Sequence, residues 1–224
     1  MIWCPNTNGI CSELITPLPR TALYITDVNR GPHPNRVTIE KRIRSILRQN
    51  NIDVIFAPDY KKGSNILCKI CKLIQQVSMG YLFYDRSARR QAIPNLFYET
   101  SLMHYLGKDI IMIGFKERRP SDLESIEWIQ YENLNQVIRD FKSRLRTILD
   151  LKVFLSYADI EINSGNYLVG MEYLKKILLF NPNIEVLTKL RSTNELISQV
   201  ETLKKEYHRN VHFIDTIDNW LRAH

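Results

Sequence analysis

From about residue 21 onward the apolar positions switch between two rhythms. "TALYITDV" is a run of β-branched and aromatic residues, whereas "PNRVTIEKRIRSILRQN" sets Val37, Ile39, Ile43, Ile46 and Leu47 at helical spacing. "DVIFAP" predicts a second strand, and "SNILCKICKLIQQV" a second helix with Ile66, Ile70, Leu73, Ile74 and Val77 on one stripe. "GYLFYD" predicts a third strand, ending in Asp85. After the loop "RSARRQAI", Pro94 suits a first helical turn, where its missing N–H has no partner anyway. That helix is expected to end at Gly107, a residue that tolerates a left-handed cap. "DIIMIGF" and "SIEWIQY" give a fourth and a fifth strand, and "ENLNQVIRDFKSRLRTIL" the closing helix.

Five strands separated by four helices imply a parallel sheet covered on both faces. Right-handed crossovers then favour the flavodoxin-like order 2-1-3-4-5, an α/β fold whose crevice opens between the carboxyl ends of strands 1 and 3. The loops there are "NRGPHPN", with Asn29, Arg30 and His33, and "RSARRQAI", with Arg86, Arg89 and Arg90.

Beyond residue 150 the strand pattern stops. "LSYADIEINSGNYLVGMEYLKKILLFNPN" reads as a helical hairpin, with Gly165, Tyr167, Gly170, Leu174 and Pro182 placed as in a single tetratricopeptide-like repeat. One repeat cannot bury its own faces. Two further segments, Ile184 to Leu203 and "VHFIDTIDNWLRAH", are expected to complete a small all-α bundle. The organisation expected is thus an N-terminal arm (1–20), an α/β domain (21–150) and a helical extension (151–224). The extension serves either as a cap or dimerisation element, and so as the route to a homo-oligomer, or as a peptide groove. Grooves of this kind normally need at least three repeats.

Composition adds constraints. The 224 residues are 44% hydrophobic and 25% charged, those of an ordinary globular protein. No apolar run approaches membrane-spanning length, and the N-terminus lacks a basic stretch followed by an apolar one, so a cytoplasmic protein with no membrane partner is expected. The formal charge is +7. Much of it falls on the first helix, at Lys41, Arg42, Arg44 and Arg48, where it reads as a solvated face; a nucleotide is the expected anionic partner and nucleic acid is not.

Cys4, Cys11, Cys68 and Cys71 have spacings compatible with a four-thiolate zinc site, but the second pair sits in a helical pattern where thiols also pack as small core residues. The expectation is no metal. No phosphate loop of the GxxxxGK kind, no GxGxxG fingerprint and no nucleophile elbow occurs. His33 and His104 come within range of the expected crevice, although the mid-helix position of His104 suits packing or solvent.

One carboxylate stands out. Glu99 lies among apolar and aromatic residues early in the third helix, where the helix dipole would lower its pKa and apolar burial would raise it. Catalytic carboxylates occupy such opposed settings, as do structural ion pairs.

The stretch "PNLFYETSLMHYLGKDIIMIG", preceded by a strand ending in Asp85, resembles the core of the nucleoside 2-deoxyribosyltransferase-like superfamily and of the related TIR-type NAD-hydrolysing domains. The shared pattern is a helical Glu, a small residue two positions on, an apolar stretch, Gly-Lys and an apolar strand: here Glu99, Ser101, Leu102 to Leu106, Gly107 and Lys108. The resemblance spans about residues 20–150 and is specific only over 80–114. It implies cleavage or transfer at an N-glycosidic bond with Glu99 as the catalytic carboxylate, no required cofactor, and NAD or another nucleotide as substrate or ligand. Asp85 would hold ribose hydroxyls or the base, unless it only forms an Asx-type turn. Arg86, Arg89 and Arg90, with Asn29, Arg30 and Asn95, would bind the phosphates and line the crevice, unless the arginines are merely solvated.

The chain departs from the pattern at Asn95 and Ser101, where deoxyribosyltransferases carry Gly-Thr and Gly, and at Tyr98, where TIR-type hydrolases carry Cys or a small residue. Deoxynucleoside transfer is therefore disfavoured. A non-catalytic nucleotide sensor using the same crevice, and an assembly module, are the competing readings; TIR-type domains also imply a role in signalling or defence.

Overall fold

The computed structural model describes residues 3–4, 9–10, 14–26, 34–56, 66–84, 93–114 and 128–224. They form two compact units, Thr21–Leu149 and a second made of Met1–Arg20 with Asp150–His224.

The first unit is built on five parallel strands: β3 (Thr21–Ile25), β4 (Asp53–Phe56), β5 (Met79–Tyr84), β6 (Asp109–Gly114) and β7 (Trp128–Gln130), following a small antiparallel ribbon of β1 (Trp3–Cys4) and β2 (Gly9–Ile10) in the other unit. Their order is β4-β3-β5-β6-β7, which is 2-1-3-4-5 within the sheet. Every residue of β3 and β5 is buried, as a strand covered on both faces requires.

Side-chain alternation sorts the two faces. Leu23, Ile25, Leu82, Tyr84, Met112 and Trp128 point to one side, where they pack with Ile74 of α2 (Ile66–Gln76) and with Leu96 and Met103 of α3 (Ile93–Tyr105). Tyr24 and Tyr81 point to the other. They are register partners with rings stacked 4.7 Å apart, and Tyr81 meets Phe141 edge-on. Phe141 belongs to α4 (Leu134–Ile148), which packs with α1 (Pro34–Gln49) on this face. The α/β flavodoxin-like architecture expected from the pattern is the one observed.

Local signals explain the ends. Gly107 adopts φ 65° after α3, and its N–H donates to the His104 carbonyl at 2.9 Å while Lys108 N–H donates to Met103 at 2.9 Å, the arrangement of a Schellman cap. Asn133 caps α4 by accepting from the Gln136 N–H at 3.0 Å. One core assignment changes. Ile39, Ile43, Ile46 and Leu47 are buried as the spacing predicts, but Arg36 is buried in the first turn and Val37 only half so. Arg36 stands three and seven residues before Ile39 and Ile43, in phase with the sheet-facing stripe, whereas Val37 shares the outer row of Lys41, Arg44 and Arg48.

In the second unit, α5 (Leu151–Asn163), α6 (Tyr167–Phe180), α7 (Ile184–Ser198) and α8 (Lys204–Ala223) pack around Ala158, Met171, Leu174, Leu178, Leu187, Leu190, Ile214 and Ile217. The hairpin of α5 and α6 turns at Gly165, φ 84°. Gly170 lets the two helices approach closely, since a Cβ there would lie 3.2 Å from the Ala158 carbonyl and overlap Ile162. The last helix is twenty residues long and starts before the segment that apolar spacing alone marks, because "KKEYHRN" adds an exposed polar turn while aiming Tyr207 and Asn210 inward. Residues of the N-terminal arm belong to this unit: the Arg20 N–H donates to the Leu179 carbonyl at 2.7 Å, and its guanidinium lies over the Trp220 ring.

Candidate functional site

A parallel sheet of this order has one place where neighbouring helices leave in opposite directions, between the carboxyl ends of β3 and β5. The floor there is tied by Thr26, buried just past β3, whose hydroxyl donates to the Phe83 carbonyl at 3.2 Å. Nothing in the sequence pattern singles Thr26 out. Tyr24 of β3 and Arg36 in the first turn of α1 are both buried. Burial first, and Glu40 next, hold the Tyr24 phenol well above its usual range, with Thr26, Arg36 and Arg44 opposing; burial does the same to Tyr81. Neither phenol ionises near neutral pH.

From the end of β5 the chain passes to α3. Asn95 lies exposed in its first turn, and Glu99 follows one turn later on the same face. At 1.5 Å per residue Glu99 starts about 9 Å along the axis from the first residue of α3, and the Cα–Cβ bond tilts its side chain back toward that N-terminus. It borders the buried stripe of Leu96, Thr100 and Met103, and is itself partly buried. Among the described residues it has no hydrogen-bond or ion-pair partner. Burial raises the carboxyl pKa from 4.5 to about 7. Such a group exists at neutral pH in both forms, able to lend or take a proton, or, ionised, to face a developing positive charge.

Thr100 and Lys108, close to Glu99 along the chain, have structural work. Thr100 is fully buried and returns its hydroxyl to the Leu96 carbonyl at 2.8 Å. Ser101 is exposed, as is Tyr98. Lys108 reaches across to the carbonyl of Val77, at the end of α2, at 2.8 Å. His104 sits at the far end of α3, nearest the start of β6, so it does not approach the crevice. Burial lowers its pKa, with Asp109 opposing.

The remaining predicted site residues, Asp85, Arg86, Arg89, Arg90, Asn29, Arg30 and His33, lie outside the described residues, as does Cys11. Cys4 is in β1, whose side chains are likewise outside the description. Cys68 and Cys71 are free thiols, half-buried on α2. Among the described residues no group of three or more His, Cys, Asp or Glu is placed to hold a metal ion. No described helix is long and apolar enough to cross a membrane.

Comparison with known proteins adds nothing to this geometry: no family model, no curated protein and no solved structure matches the chain.

Proposed function

We propose that this protein cleaves or transfers at the N-glycosidic bond of a nucleotide, in the manner of the deoxyribosyltransferase and TIR-like enzymes that its 80–114 segment resembles, with an NAD-like dinucleotide as the substrate class. One observation carries the reading. Glu99, a carboxylate without a partner among the described residues, stands in the second turn of the helix that leaves the middle strand of the sheet, with its pKa raised to about 7.

The chemistry needs such a group. When the bond between ribose C1′ and the base nitrogen breaks, its electron pair leaves with the base and positive charge spreads over C1′ and the ring oxygen. An ionised Glu99 stabilises that charge or bonds to C1′, and water then supplies the hydroxyl at C1′ and releases a proton. A base that is cationic when bound, such as nicotinamide, leaves neutral and needs no acid. Its charge would also draw Glu99 toward the ionised form as substrate binds.

The test is incubation of the full-length chain with a panel of nucleotides and dinucleotides, followed by chromatography for free base. Release by the wild type and its loss in a folded Glu99→Gln variant that still binds the nucleotide support the reading. Turnover retained by Glu99→Gln overturns the assignment of Glu99. Calorimetric binding with no released base replaces the enzyme with a nucleotide sensor.

A further inference from the structure

The fold gathers charges that the sequence keeps apart. Helix α1 carries Arg36, Lys41, Arg42, Arg44 and Arg48 against Glu40, and α4 carries Arg139, Lys142, Arg144 and Arg146 against Asp140. These nine cations and two anions amount to +7, the formal charge of the entire chain, and the remaining residues hold 22 of each sign. Since α1 and α4 pack together on one face of the sheet, the whole excess lies in a single helical layer.

The outer surface of that layer is where the cations are. Lys41, Arg42 and Arg48 on α1 and Arg139, Lys142 and Arg146 on α4 are all exposed, while Ile39, Ile43, Leu47, Val137, Phe141 and Leu145 face inward. Among the described residues Lys41, Arg42, Arg48, Lys142 and Arg146 have no acidic partner. An open cavity of about 440 Å³ lies on the α1 side, lined by Lys41, Arg44, Ser45, Arg48 and Gln49. Arg44 is held there by its own fold. Glu40 accepts from Nε and from Nη2 at 2.9 Å, the guanidinium stands 5.8 Å from the Tyr24 ring, and the Nη1 donors have no partner among the described residues.

We propose that the outer face of the α1–α4 layer is a docking surface for the phosphodiester backbone of a nucleic acid. Charge complementarity argues for a polyanion, because cations repeated along two adjacent helices match a repeated phosphate better than a single one. Seven of the nine cations are arginines, whose planar forks suit phosphate oxygens. A lipid surface would call for apolar anchors among the charges, and the exposed large apolar side chains described on this unit are Tyr98 and Tyr105, on α3 of the opposite face. This surface is separate from Glu99 and independent of the activity proposed for it.

The experiment measures binding of the full-length chain, by fluorescence anisotropy across a salt series, to labelled single- and double-stranded oligonucleotides of about 25 residues and mixed sequence. Two variants each lose four positive charges: Lys41→Ala/Arg48→Ala/Lys142→Ala/Arg146→Ala on the layer, and Lys152→Ala/Lys204→Ala/Lys205→Ala/Arg222→Ala on the helical unit. The expected result is that the wild type binds and the control variant binds nearly as well. The layer variant should bind at least about tenfold more weakly at 0.1 M salt, with a dependence on log salt shallower by about three. Should the fourfold layer variant melt below the wild type, Lys41→Ala/Arg48→Ala against Lys152→Ala/Lys205→Ala decides in its place. Equal weakening by layer and control variants overturns the proposal, as does absence of binding at about 50 mM salt. Binding to phosphatidylserine vesicles in preference to either oligonucleotide assigns the face to a membrane surface instead, and also overturns it.

Discussion

Met103 of α3 occupies the space that a Cβ on Gly80 of β5 would need: a methyl group built there overlaps the Met103 sulfur and its terminal carbon. Both residues lie in the layer between the sheet and α3, and Met103 is fully buried one turn beyond Glu99. The absent side chain at Gly80 therefore makes room for the end of the Met103 side chain between the sheet and the helix bearing Glu99. Gly80→Ala should cost about 1–3 kcal/mol by overpacking. Met103→Ala should cost about 2–5 kcal/mol by leaving a cavity. The double variant, with the new methyl filling part of that cavity, should cost clearly less than the two together. Urea denaturation of the three variants measures the coupling, and strict additivity would show that the two sites do not share this space.

Lys108 gives a second relationship between elements, because its ammonium donates to the Val77 carbonyl at the end of α2, 2.8 Å away. A cation on an orphan helix-end carbonyl is favoured both as a hydrogen bond and by the dipole. Lys108→Met keeps the aliphatic stem and removes the donor, and should cost about 1–2 kcal/mol. Gly107→Ala, at φ 65°, should cost about 1 kcal/mol for a different reason, backbone strain. Chemical denaturation separates these from a functional role for the Gly-Lys pair. A neutral Lys108→Met would remove the structural explanation offered here.

These residues also show what the sequence could disclose. The strands were legible because β3 and β5 carry no charged residue at any position, the pattern of a sheet covered on both faces. Glu99 stood out in the sequence as the lone carboxylate of an apolar and aromatic stretch, a setting that catalytic carboxylates share with structural ion pairs. How far burial raises its pKa was not legible, since that depends on depth, which spacing does not give. Thr26 was invisible for a similar reason: its role comes from Phe83, a residue on another strand. The basic layer was hidden more thoroughly. Arg48 and Arg139 are separated by ninety positions of chain, and only the strand order puts their helices side by side. Read from α1 alone the charges are a solvated face; together with α4 they are the excess charge of the protein.

In the helical unit, Asn210 of α8 donates to the Asn194 side-chain oxygen of α7 at 2.9 Å, and Asn194 donates to the Tyr207 carbonyl at 3.3 Å. Both amides are almost fully buried. Asn194→Leu removes the acceptor and leaves the Asn210 amide desolvated, so it should cost about 1–3 kcal/mol. Asn194→Leu/Asn210→Leu removes both partners and should cost less than the sum of the single changes, because neither leaves an orphan behind. Thermal denaturation followed at 222 nm on all three variants reads this directly. Additive losses would mean that the pair does not hold α7 against α8 through this bond.

The raised pKa of Glu99 makes a prediction of definite sign. The folded value, about 7, exceeds the ordinary value of 4.5 that the unfolded chain retains, so the native state holds this proton more tightly. Its contribution is fully present below the unfolded value, fades as pH rises through that window, and is lost above the folded one. A shift of this size corresponds to roughly 3 kcal/mol at the limit. Glu99→Gln lacks the titration and keeps the shape, so its stability relative to wild type should rise between about pH 5 and pH 8, by an amount of that order. Urea midpoints at several pH values measure the difference. For the activity proposed above the sign is opposite: only ionised Glu99 faces the cationic ribose, so kcat/KM should climb with pH through about 7 and level off above it. A protein that gains turnover across the same interval in which it loses stability relative to Glu99→Gln would show one carboxylate serving both. A stability difference independent of pH would place the group's pKa in the ordinary carboxylate range and remove the environment on which its proposed chemistry depends.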